Sequence, residues 1–274
     1  KFSGFFEVEA EDEDTNARGF EVGIPHASFS YNHAPGLNVG LAWGSLNIFD
    51  PYESYSASRR LTRSTHSVLD QSFGGADNNG KLANPRQNVA VYGRPIKNIF
   101  YSVGVSGVAD DSEGVNANTL HGRLMYEFTP NFALGLLSVK GTCKAPASNC
   151  TVDRDFTRLG LDTQIDYQGF RINAVWLDTE DRNAANTADA QNKAWYAQTY
   201  YVFKKNSQPT FVPLLRFDQY EKANGTQTYS ELTLNLGYYL RKNVKAYIEY
   251  WDQTDVPTGV VKDNRTTLQV EVAF

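Results

Sequence analysis

The chain has 274 residues, a formal net charge of −5 and 21% charged residues, with a mean hydropathy of −0.47. It carries no basic stripe and no RNA-binding motif, which excludes nucleic acid as a partner, and no run of about 18 apolar residues, which excludes a transmembrane helix. Strands escape that second exclusion: they cross a bilayer with about 9–11 residues, half of them polar, and leave little hydropathy signal.

Phe2–Ala10 opens the chain in strict alternation, the period of a strand with two unlike faces. Lys1 stands directly before it, which fits either a processed leader or further strands upstream. Gly19–Tyr31 and Leu37–Asn47 repeat the pattern, and Asn88–Arg94 and Asn98–Gly107 resume it after a long gap. Thr119–Phe128, Phe132–Thr142, Phe156–Tyr167 and Phe170–Thr179 follow. Ala194–Phe203, Thr210–Tyr220, Ser230–Leu240, Val244–Asp252 and Arg265–Phe274 complete a set of about fourteen strands.

The connections fall into two alternating classes. Asn32–Gly36, Pro95–Lys97, Thr129–Asn131, Gln168–Gly169, Lys204–Pro209 and Arg241–Asn243 are short and carry turn chemistry such as Pro-Gly, Thr-Pro-Asn and Gln-Gly. The long ones begin near Glu11, Ile48, Val108, Cys143, Glu180, Glu221 and Gln253 and are rich in Asp, Asn, Gly and Thr. A soluble β-sandwich needs no such parity. An all-β, transmembrane, antiparallel up-and-down barrel does, with turns at one end and loops at the other.

The faces agree. In Ser230–Leu240, Leu232, Leu234, Leu236, Tyr238 and Leu240 share one side, while Glu231, Thr233, Asn235 and Tyr239 share the other. Charges keep to one parity, as expected where Arg or Lys at a lipid midplane costs about 2–4 kcal/mol. The predicted pore lining is therefore Arg94, Arg123, Arg158, Asp162, Arg171, Arg216, Lys245 and Glu249, in a mixed set that also holds Glu7, Glu9, Asp166, Glu231, Arg265 and Glu271. Tyr and Phe near strand ends suit interfacial girdles, and the chain closes on Phe274 as a terminal aromatic of the barrel-assembly type. Phe132–Thr142 is the exception, apolar on both faces around Leu136 and Leu137, as if it packed against a loop inside the barrel.

The stretch Ile48–Gln87 far exceeds the other connections, and a loop of that size is usually functional. Folding inward, it would narrow the lumen. Its candidate constriction residues are Arg59, Arg60 and Arg63, with Tyr52, Glu53 and Tyr55, because rings of Arg favour anions. A solvated loop pinned by local salt bridges is the competing reading. Cys143 and Cys150 flank a six-residue polar segment and read as a disulfide of an oxidising compartment. A two-Cys metal site competes, without a His or acid at ligand spacing beside it.

Gly44, Pro51–Glu53, Leu61–Ser64 and Pro85–Gly93 together resemble the phosphate-selective porin O/P family over about Leu37–Tyr126. The resemblance implies a sixteen-stranded, homotrimeric outer-membrane porin for small, often anionic solutes, with two strands lying upstream of Phe2. It also sets a departure: family members carry a ladder of pore bases, and here acids interrupt it. A related architecture sheathes a cytochrome, and the Cys-x-x-Cys-His that this would need is not in the chain.

No catalytic constellation stands out. His66 lies near Ser64, Ser67 and Asp70, but a triad is defined by geometry rather than proximity in sequence. Asp110, Asp111 and Glu113 read as a solvated acidic loop before a Ca²⁺ site. Gly74–Gly80 lacks the Lys and helix of a phosphate loop. His121 reads as a wall residue. The expectation is one barrel domain spanning residues 1–274, not an enzyme and without a cofactor, set in outer-membrane lipid and passing small hydrophilic solutes or ions. The alternative is a barrel that sheathes a cytochrome.

Overall fold

A computed structural model describes residues 1–12, 20–44, 61–62, 68, 86–107, 119–143, 152–182, 188–222, 224–241 and 244–272, with 5–12, 20–26, 43–44 and 86 described by their backbone. The strands are β1 (Phe2–Asp12), β2 (Phe20–Ala34), β3 (Leu37–Gly44), β4 (Arg86–Ile96), β5 (Ile99–Ser106), β6 (Thr119–Thr129), β7 (Phe132–Cys143) and β8 (Arg154–Tyr167). They continue as β9 (Phe170–Arg182), β10 (Asp189–Tyr201), β11 (Phe203–Lys205), β12 (Gln208–Lys222), β13 (Gln227–Arg241), β14 (Val244–Asp255) and β15 (Asn264–Val272). All pair antiparallel with their sequence neighbours in one sheet. The three-residue β11 pairs with β12 and prolongs β10 past a break at Val202, so the path of strands is the fourteen that alternation predicts.

Short turns bind alternate pairs. Gln168 and Gly169 both take positive φ (48° and 90°), as do Asn206 and Ser207 (52° and 62°), the two-residue geometry that matches the twist of the flanking strands. One expectation is corrected here. The connection predicted to be long from Glu221 is only 223–226, because β13 begins at Gln227. Asn224 and Gly225 at φ 58° and 81° close it tightly, and Tyr220 stacks on its register partner Tyr229 at 4.7 Å and 10°.

The distribution of polarity is the reverse of a soluble sheet. Along β13, Thr233 is 0% and Asn235 5% exposed, whereas Leu234 and Leu236 are 45% and 41% exposed. The same inversion runs through β8, where Arg158 and Asp162 are buried and Leu159 and Leu161 are exposed. Each exposed Leu forgoes about 1.5–3 kcal/mol of burial if water is its neighbour, and lipid removes that loss. Among the described residues no helix is long and apolar enough to cross a membrane.

Aromatic side chains collect beside the short turns. Tyr126 meets Phe128 edge to face at 4.7 Å and Phe128 stacks on Phe132 at 5.2 Å, and Phe170, Tyr201, Phe203 and Phe211 form a chain of contacts at 4.8, 4.5 and 5.8 Å. Phe2, Phe29 and Tyr31 make a third group. Such a belt at one end of the sheet matches an interfacial girdle. On β7 the ambiguity of the sequence resolves. Leu134 and Leu136 stay on the exposed face, while Leu137 and Val139 are buried on the polar one.

Candidate pore lining

Six basic side chains of the polar face each meet a carboxylate. Arg123 of β6 grips Asp162 of β8 with two bonds, Nε to Oδ2 at 3.0 Å and Nη2 to Oδ1 at 2.6 Å. The pair passes over β7 at Gly135, the register partner of Asp162. A Cβ on Gly135 would stand 2.2 Å from Asp162 Oδ2, so only glycine lets the bridge lie flat. Arg158 donates from Nη2 to Asp181 at 2.9 Å and from Nη1 to the Thr157 carbonyl at 2.8 Å, with its guanidinium 5.2 Å from the Phe156 ring centroid.

Arg216 of β12 holds Asp218 on its own strand at 2.7 Å and donates to Thr233 Oγ1 at 3.3 Å. Nearer the turns, Arg171 meets Asp166 at 2.6 and 3.1 Å and Arg94 meets Glu127 at 2.7 Å. Lys245 meets Glu271 at 2.8 Å. Glu249 accepts from Asn235 Nδ2 at 3.2 Å and Glu231 from Trp251 Nε1 at 3.2 Å. Paired in this way, the wall presents little net field. Breaking one such buried pair would be costly, about 3–5 kcal/mol.

A part of the long connection reaches this wall. Thr62 Oγ1 accepts a hydrogen bond of 3.1 Å from Arg216 Nη1, and Leu61 packs against the cluster of Tyr200, Val212 and Leu214. Thr62 belongs to the segment between β3 and β4, and β12 lies seven strand positions beyond β4, roughly 34 Å along the sheet at about 4.8 Å per strand. Thr62 therefore lies against the polar face of β12, and Thr62 and Val68 are both buried.

At the loop end of the sheet, Lys222 lies over the stacked Tyr220 and Tyr229 rings at 5.3 and 5.7 Å. Arg265 lies over Trp251 at 5.5 Å. The predicted lining residues Arg94, Arg123, Arg158, Asp162, Arg171, Arg216, Lys245 and Glu249 all fall on the polar face. His121 joins them, buried beside Gly104, where a Cβ would come within 2.6 Å of the imidazole. Arg59, Arg60, Arg63, Tyr52, Glu53 and Tyr55 lie outside the described residues, as do Phe274 and Cys150. Cys143 ends β7 in a buried position, and no free cysteine occurs among the described residues. Asp181, Asp218, Glu127 and Thr62 were not expected. Asp218 could have been found, two residues past Arg216 on the same face.

These features define a class, the porin-type β-barrel, with its polar face inward and its apolar face outward. The chain is similar to an anion-selective porin from Comamonas acidovorans, with a TM-score of 0.61 at 13% identity over 99% of this chain and 98% of that one. It is similar to OmpF of Salmonella typhi, with a TM-score of 0.65 at 14% identity over 98% and 85%. It is also similar to the outer-membrane channel DcaP of Acinetobacter baumannii, with a TM-score of 0.67 at 15% identity over 100% and 80%. Identities this low show the fold. No protein-family model and no curated relative matches the chain, so the comparisons reach the porin barrel fold and stop short of a particular family.

Proposed function

We propose that this chain is an outer-membrane channel through which small hydrophilic solutes or ions diffuse, narrowed by the 48–87 connection. The observation that carries the reading is the inverted wall: strand after strand exposes Leu and Val on one side and buries charged groups such as Arg158, Asp162, Arg216, Asp218 and Glu249 on the other. Water inside and lipid outside is the environment in which that arrangement is favourable. The bond from Arg216 to Thr62 and the packing of Leu61 support an inward course for the connection.

An anion bias is assigned to Arg59, Arg60 and Arg63 rather than to Arg94, Arg123, Arg158, Arg171 and Arg216, because these five are matched by carboxylates. One solved relative is described as the trimer form of OmpT of Vibrio cholerae, which supports a homotrimer here. A place among the phosphate-selective O/P porins rests on the motifs between Gly44 and Gly93. A Cys143–Cys150 disulfide is kept as part of the reading on the spacing of the two cysteines around a six-residue polar segment.

Planar-bilayer recording of the purified chain tests this. The reading predicts discrete conductance steps whose reversal potential in a salt gradient moves toward cations in the triple variant Arg59→Gln, Arg60→Gln, Arg63→Gln. A membrane with no steps contradicts the channel. Steps with an unchanged reversal potential remove the three arginines from the account of selectivity.

A further inference from the structure

The exposed face of the sheet carries a groove over β7 to β12, with a volume of about 550 Å³. Three register rows build it. Thr163, Ala174 and Ala197 are partners across β8, β9 and β10, and all three are short, so the surface dips there. Leu134 of β7, the partner of Thr163, closes the end of the dip. Leu161, Trp176 and Trp195 are partners in the next row and rise beside it. The Trp195 ring is fixed in place: its Nε1 donates to Gln219 Oε1 at 3.0 Å, and the Phe217 ring lies 5.4 Å away.

The third row is charged. Asp178 of β9, Lys193 of β10 and Glu221 of β12 are successive register partners, on the same side as the exposed Leu159. Lys193 and Glu221 line the groove. Opposite charges on facing strand positions ordinarily engage. Here none of the three makes an ion pair with another described residue, whereas Arg123, Arg158 and Arg216 on the other face each do. Measured from Tyr201 of the turn-end aromatic belt, Lys193 is about 26 Å along the strand at about 3.3 Å per residue. That is roughly 20 Å in height at a tilt of about 40°, under the loop-side edge of an apolar band about 25 Å tall. A charge at that depth on the lipid side is unfavourable unless something polar meets it.

We infer that this groove binds a single phosphoethanolamine-headed lipid of the loop-side leaflet: its acyl chain lies in the dip beside Trp176 and Trp195, its phosphate meets Lys193, and its ammonium meets Asp178 and Glu221. Charge complementarity selects the head. The row presents a cation flanked by anions, and phosphoethanolamine presents an anion joined to a cation by a short ethylene bridge. A phosphate without an amine leaves both carboxylates unmatched and repels them. A choline head has no N–H to donate to them, and charge-assisted hydrogen bonds are the strong ones. The site goes beyond the channel reading and requires only that this face meets lipid.

Quenching by lipids brominated on the acyl chain tests it. Trp176 and Trp195 are two of the four tryptophans, so the full chain carries Trp43→Phe and Trp251→Phe. It is reconstituted in phosphatidylcholine vesicles holding a small fraction of brominated lipid with a phosphoethanolamine, phosphocholine or phosphoglycerol head. Native mass spectrometry of the unaltered chain, released from an equimolar mixture of the three lipids, counts what stays bound. The inference predicts at least threefold higher relative affinity for the phosphoethanolamine lipid than for either other head, and one retained copy. The preference falls to parity when Asp178→Asn, Lys193→Gln and Glu221→Gln are combined. Ala174→Leu fills the dip and lowers quenching by all three lipids. Lys140→Gln, exposed on the same face of β7, keeps the preference. Equal quenching by the three heads, or a preference unchanged in the triple charge variant, overturns the site. Loss of quenching with all three lipids also overturns it, and a dimer mass in that case gives the groove to a second copy of the chain. Conductance takes no part in either readout and decides the channel reading separately.

Discussion

Gly135 carries more consequence than its lack of a side chain suggests. It lies between Arg123 and Asp162, and its bare Cα is what allows a bridge between two strands that are not neighbours. Gly135→Ala is expected to push the Asp162 carboxylate off the guanidinium and lower unfolding stability by about 3 kcal/mol, the low end for a broken buried pair. Gly107, with open space where a Cβ would go, serves as the control and takes alanine with little change. Urea unfolding of both variants in lipid vesicles measures the difference, and equal midpoints would mean that the bridge adapts without cost. The same geometry shows where residue-scale reading of the sequence stopped. Arg216 and Asp218 are two apart on one face, so their pairing is local. Arg123 and Asp162 are 39 residues apart and depend on a register that no local pattern specifies.

At the scale of elements, the strands were legible because their period is two and is written in consecutive residues. Leu232 to Leu240 announces its face without reference to any partner. The connections were less so. Asp, Asn, Gly and Thr compose both long loops and tight turns, which is why 223–226 was expected to be long until Asn224 and Gly225 closed it. Within the 48–87 connection, Thr62 accepts a charged hydrogen bond from Arg216 across 154 residues of sequence. A bond to a charged group is worth about 1.5–3 kcal/mol. Thr62→Val should therefore free the connection and make it cut faster under limited proteolysis, whereas Thr62→Ser should resist like the parent. Matching cleavage rates for the valine and serine variants would show that the hydroxyl does not hold the connection. On the outward side, Leu161→Arg places a charge in the apolar band and should cost about 2–4 kcal/mol in the same unfolding assay; no loss there would place Leu161 outside lipid.

At the scale of the molecule, the inverted wall was readable in the sequence and the burial of its polar side chains was not. Alternation tells which parity turns inward, and Arg158, Asp162 and Arg216 were placed inward on that basis. What lies over them is a matter of tertiary packing across the barrel, and the apolar inward residues Leu137, Val139 and Leu177 hint at cover only where a strand such as β7 loses its polar face. The pairing of bases with acids likewise turns an apparent ladder of charge into a wall of matched ion pairs. The central claim is that the Leu-bearing side of these strands faces lipid and the charged side does not. Spin labels at positions 233, 234, 235 and 236 of β13, relaxed in bilayers by oxygen and by a water-soluble nickel chelate, measure it most directly. The account predicts strong oxygen contact at 234 and 236 and little contact with either reagent at 233 and 235; equal oxygen contact at all four positions, or nickel contact at 234 and 236, would contradict it.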